Sequence, residues 1–159
     1  MADRKQVILD QLAESRAYLD QVLDQIGDRW EHQVYSDGLG WSVRQLAAHL
    51  ADAERGHQFQ VMNIAEGKDV IPEDFDIERY NKRVTEKSAE LTPSQIREQL
   101  ALYRQQLNDW LFNLDEALLD QKGRHASLRI MTVEQILNIV VSHERGHGAD
   151  MAKALNITV

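Results

Sequence analysis

Apolar residues recur every three or four positions along nearly the whole chain, and no stretch shows the two-residue alternation of a half-buried strand. That period commits the chain to long amphipathic helices. In the first, over residues 4–26, the stripe runs Ile8, Leu12, Leu19, Val22 and Ile26, with Ser15 completing the spacing. Gly27 is placed to end it in a left-handed conformation. A connection over 28–40 carries its clearest turn signal at Asp37-Gly38-Leu39-Gly40. Ser42 reads as the N-cap of a second helix from Val43 to about Glu66, with Val43, Leu46, Leu50, Ala53, His57, Val61 and Ile64 on one face.

Residues 67–92 form a long acidic connection around Pro72, with room for one short helix near Ile77–Thr85. A connection of that length inside a compact domain often marks a functional crossover. Thr92-Pro93 starts the third long helix, capped by Thr92 and expected to reach about Leu119, with Ile96, Leu100, Tyr103, Leu107, Trp110, Leu111, Leu114 and Leu118 on its face. A polar connection, 121–130, surrounds Gly123. Thr132 then caps a last helix with Val133, Ile136, Val140, His147, Met151 and Ala154 along its stripe. Four such helices predict an all-α fold: a four-helix bundle with a long crossover between its second and third long helices, as a single domain over 1–159.

Composition narrows the function. The chain contains no cysteine, so it brings no disulfide framework, no thiolate metal site and no thiol nucleophile of its own. Eighteen basic residues against 26 acidic give a net charge of −8, a poor match to a nucleic-acid backbone. No uncharged apolar run approaches the ~20 residues that span a bilayer, and no signal peptide is visible, so the expected location is cytoplasmic. Wide apolar stripes make a homodimer the expected assembly.

One internal repeat stands out. Residues 41–57, WSVRQLAAHLADAERGH, align without gaps on 131–147, MTVEQILNIVVSHERGH, and both end in Glu-Arg-Gly-His. In the second copy His143 and His147 stand four apart, one helical turn, so both imidazoles leave the same inward-pointing face and can chelate one metal ion. Hydrogen-bonded structural histidines are the plainer alternative. The string also fits H-E-x-x-H, in which Glu144 would be the general base of a zinc peptidase. The context opposes that reading: only twelve residues follow His147, they include no further histidine, and no strand is present to align a peptide. A third ligand must come from upstream, and the second helix offers His49 and His57. Spacing alone does not choose between them, although periodicity favours His57, central in its stripe and the repeat counterpart of His147. Glu54 and Glu144 lie nearest such chemistry, and each has a salt bridge with Arg55 or Arg145 as its ordinary alternative. Arg124, His125 and Arg129 read as a solvated loop, and Trp30, Trp41 and Trp110 as packing.

The stretch Trp41 through Arg55, with His49 inside it, resembles the second-helix signature of the DinB/YfiT-like metalloprotein superfamily. His143-x-x-x-His147 resembles the final-helix element of the same family. Asp74-Phe75-Asp76, Tyr80-Asn81 and Leu91-Thr92-Pro93 are similar to the crossover of its thiol-dependent branch. The resemblance implies a divalent metal, zinc or nickel, held by His49, His143 and His147, with His57 as an alternate ligand or a group behind the ligands. It also implies a metal-dependent enzyme on a small-molecule substrate. That enzyme would be hydrolase-like, or a transferase or isomerase using a low-molecular-weight thiol cosubstrate such as mycothiol or bacillithiol. The competing expectation is a non-enzymatic helical binding or dimerisation module whose histidines are structural.

Overall fold

The computed structural model describes residues 3–159. Among the described residues there are five α-helices: α1 (Arg4–Asp24), α2 (Val43–Ala65), α3 (Ile77–Lys87), α4 (Pro93–Asn113) and α5 (Val133–Leu155). The four long ones form the expected bundle, and α3 lies in the crossover. Three of the long helices start with the same chemical device. Ser42, Thr92 and Thr132 each accept from the backbone N–H three residues on, and Gln45, Gln95 and Gln135 return the bond to the cap's own N–H. Among the described residues no helix is long and apolar enough to cross a membrane.

Two expectations need correction. The stripe read as continuing to Leu119 is not one helix. Helix α4 stops at Asn113, Leu114 turns extended, and Asp115 caps a short 3-10 helix, Glu116–Asp120, by accepting from the Ala117 N–H. Leu114 and Leu119 are nevertheless buried, so a stripe of leucines survives the break and hides it from periodicity. The polar connection after it is also not without strands. Strand β1 (Lys122–Arg124) pairs antiparallel with β2 (Ile130–Thr132), with Gly123 opposite Met131. Three-residue strands are too short to show an alternating pattern.

Gly123 is required by space. A Cβ there would lie 2.4 Å from Ile64 Cγ1, deep in the core. We expect Gly123→Ala to cost about 1–3 kcal/mol through overpacking, read from urea unfolding. A loss under about 0.5 kcal/mol would mean that Ile64 swings aside freely. The tip of the same hairpin holds Leu128 at φ +71°, a conformation that costs a non-glycine residue about 1–2 kcal/mol. That turn carries His125 and Ser127.

Helix α1 packs chiefly on α5, and α2 on both α4 and α5. The interior has two apolar layers. One gathers Leu19, Val22, Leu46, Leu50, Leu100 and Met151; the other gathers Ile8, Leu12, Val61, Ile64, Leu107 and Ile136. Along every long helix the switch between layers falls at a buried polar residue: Ser15, beside the half-buried Arg16, on α1, Glu54 on α2, Arg104 on α4 and Glu144 on α5. Arg16 donates to Glu54 at 2.5 Å and to Glu144 at 2.6 Å. Arg104 donates to Glu54, and to Glu144 at 2.9 Å. The pattern extends to the backbone. Arg16 also reaches the Leu100 carbonyl, and Arg104 the Leu12 carbonyl, each at 2.7 Å. Each arginine thus bonds the carbonyl four residues before the other, and the repeated Glu54 and Glu144 sit at the crossing.

Candidate metal centre

The level of that polar layer also carries the histidines. Helix α2 contributes His49, and α5 contributes His143 and His147 one turn apart. Their Nε2 atoms converge: His49 to His143 is 3.1 Å and His147 to His143 is 3.1 Å. One ring nitrogen from each lies within 4.8 Å of the others. Burial, the main cause, pushes His49 down to about 3 and His143 down to about 4, and His147 is lowered for the same reason. Near neutral pH all three rings are therefore uncharged, which is the form in which imidazole binds a metal.

Two sets of neighbours orient these rings. The Trp41 indole stacks on His49, with centroids 4.4 Å apart and planes 26° from parallel, and its N–H donates to Thr85 of α3 at 2.9 Å. The Tyr35 hydroxyl donates to Asp150, so its oxygen is left to accept from His147 Nδ1 at 2.8 Å. That bond places the His147 proton on Nδ1 and leaves the Nε2 lone pair facing the other two rings. Three uncharged imidazoles with converging lone pairs, one of them locked in the required tautomer, are a donor set that fits a divalent ion.

His57 has a different partner. Its Nε2 lies 2.9 Å from His125 Nε2, with the two rings within 8° of parallel. The Ser127 backbone N–H donates to His125 Nδ1 at 3.1 Å, so the His125 proton sits on Nε2 and is donated to His57. Both rings are buried, and burial pushes His57 down to about 3. The structure thus brings together His49, His143 and His147, and it pairs His57 with a loop residue that sequence reasoning left in solvent. Arg124, from the same loop, is taken up by Asp69 at 3.5 Å, Glu73 at 3.5 Å and the Ile71 carbonyl at 3.1 Å.

Glu144 sits in the layer of crossed ion pairs. Its carboxylate accepts from Ser15 at 2.6 Å as well as from Arg16 and Arg104. Burial alone would raise its pKa, but attraction to Arg104 and Arg16 outweighs burial and lowers it. The partners expected for the two glutamates were wrong: Arg55 bonds Asp52 instead, and Arg145 lies over the Tyr18 ring at 5.4 Å. Sequence reasoning also missed Tyr35 and the working role of Trp41.

A cavity of about 820 Å³ opens in front of the three histidines, in the range of small-molecule sites. It is bounded by α2, by the crossover with α3, and by the hairpin through His125 and Ser127.

The family model of the DinB superfamily matches residues 7–151. None of the curated proteins matches the chain. Among solved structures, the chain is similar to YfiT from Bacillus subtilis, described as "a probable metal-dependent hydrolase with an unusual four-helix bundle topology". The TM-score is 0.80 at 23% identity, over 96% of this chain and 86% of that one.

Proposed function

The chain belongs to the DinB superfamily, and on that footing we propose that His49, His143 and His147 hold a divalent metal ion, zinc or nickel, in an enzyme acting on a small molecule in the adjoining cavity. The observation that carries this reading is the convergence of the three Nε2 atoms from two helices at the cavity wall. A divalent ion with three imidazole ligands keeps positions open and supplies Lewis acidity, which polarises a carbonyl and lowers the pKa of water or of an external thiol. The chain's own residues hold the geometry. Trp41 fixes the His49 ring, and Asp150 through Tyr35 fixes the His147 tautomer. The ion pairs of Glu54 and Glu144 hold α2 and α5 at the spacing the histidines need. In this reading Glu144 positions its helix, since acting as a base would require it to release Ser15 and two arginines.

Hydrolysis is the reaction class supported by the description of the Bacillus subtilis structure. Transfer to or from a low-molecular-weight thiol is the second reading. Its support is the likeness of Asp74-Phe75-Asp76, Tyr80-Asn81 and Leu91-Thr92-Pro93 to the crossover of the thiol-dependent branch, and in a chain without cysteine the sulfur would be a cosubstrate's.

Metal analysis of tag-free protein tests the proposal. About one divalent ion per chain is expected, and less than about a tenth in His143→Ala. An ion content near zero in the unaltered protein, or one unchanged in His143→Ala, would overturn it. Tyr35→Phe separates ligand from support. It keeps the ring and removes the acceptor of His147 Nδ1, so metal affinity should fall about 10–100-fold without loss of the fold. Competition with a chromogenic chelator measures that change, and equal affinity in the two proteins would remove Tyr35 from the site.

A further inference from the structure

The cavity has one polar pole and a long apolar flank. The pole is the three-histidine cluster. The flank is built by Trp41, Phe59, Met62, Phe75, Ile77 and Ile139. Phe59 is left 56% exposed and Ile77 38% exposed at this surface, although both could be covered by a ligand with a carbon body. Only two described residues of the lining carry a formal charge, Asp52 and Arg55, and they bond each other at 2.9 Å. The second Asp52 oxygen accepts from Tyr80 at 2.9 Å. The remaining two histidines of the lining, His57 and His125, satisfy each other, and Gln60 accepts from the Ala126 N–H at 3.2 Å. The wall therefore has no unpaired charge with which to receive a second ionic group away from the histidines.

We propose that the cavity takes a single-headed amphiphile. Its alkyl or aryl body lies along Phe59, Phe75 and Ile139, and its one polar group meets His49, His143 and His147. The proposal rests on the reading of that cluster as the reactive centre and names the substrate class. A molecule of the same size carrying a second charge would have to leave that charge against carbon or neutral side chains, and it is disfavoured for that reason.

Three probes share one head and one chain length: octanamide, 8-aminooctanamide and the monoamide of octanedioic acid. Calorimetric titration of the full chain, as purified and after dialysis against chelator, should give at least tenfold tighter binding of octanamide than of either charged-tail analogue. A negative heat-capacity change should accompany it, the mark of apolar burial. Phe59→Lys, at an exposed position that folding tolerates, should weaken octanamide binding and strengthen binding of the carboxylate-tailed probe. Charged-tail probes binding as tightly as octanamide, no octanamide binding up to its solubility limit, or indifference to Phe59→Lys would each overturn the proposal. Metal content measured on the same samples keeps the two readings apart. Metal present with no tail preference sinks the substrate class alone, and tail preference without metal sinks the metal reading alone.

Discussion

Arg104→Leu should destabilise the protein by about 3–5 kcal/mol, a loss large enough to threaten folding at physiological temperature. Two glutamates and two arginines share the layer between the apolar halves of the core, and their charges cancel. Removing one arginine leaves Glu54 and Glu144 facing each other with a single cation between them. The leucine would fill volume but could not replace the donors, nor the bond to the Leu12 carbonyl. The alternative explanation is simple loss of packing. It is separated by Arg104→Met combined with Glu54→Leu, which leaves Arg16 and Glu144 as a balanced pair. If charge imbalance is the cause, the double variant should be more stable than Arg104→Leu; if packing is the cause, it should be less stable. Urea unfolding of both proteins decides, and a single-variant loss under about 1 kcal/mol would mean that water enters the layer and solvates the glutamates.

Acid should weaken the metal-free protein well before its carboxylates titrate. His49, His57 and His143 are held neutral in the fold, at about 3, about 3 and about 4, each chiefly by burial. In the unfolded chain they titrate near 6.5, an approximate reference value. Between those limits the unfolded state binds more protons, so stability falls as pH falls. Each ring contributes up to about 1.4 kcal/mol per pH unit in that window. Glu144 adds a later step of the same sign. Its folded pKa is lowered, so its stabilisation is complete above the ordinary carboxylate range and is lost as pH falls through and below it. The urea midpoint is therefore expected to start falling near pH 6.5, in a first phase that steepens and continues to about pH 4, with Glu144 adding to the fall below about 4.5. A bound ion should flatten the first phase by competing with the protons. A midpoint constant from pH 7 to 5 without metal would show that the rings are solvated in the native state.

Much of this molecule was legible in its sequence, for reasons that differ by element. The long helices announced themselves because each buries one stripe, and Ser42, Thr92 and Thr132 mark three of their starts with hydroxyls that have one common use. His143 and His147 were readable as a pair because one helical turn separates them. His49 was placed by resemblance and not by spacing, since it stands beside its stripe. Bundle geometry brings it to the other two, and no one-dimensional period encodes that. His57 followed the period and met His125, a partner fixed by a hairpin too short to leave a pattern. The clearest missed signal was available. Arg104 interrupts the run Ile96, Leu100, Leu107, Leu111 at a core position, as Glu54 and Glu144 interrupt theirs. A charge repeated at one level of several helices signals mutual pairing more than a bond to the neighbouring arginine.

The three histidines stand on α2 and α5, the two helices whose glutamates share the crossed ion pairs. Much of the wall they face hangs from connections: Ile71, Phe75, Ile77 and Tyr80 from the crossover, His125 and Ser127 from the hairpin. The protein thus divides its labour between frame and furnishing. Insertions or exchanges in 67–92 or 121–130 can redraw the shape of the cavity while the imidazoles keep their places. Such a scaffold can change what it accepts faster than what it does.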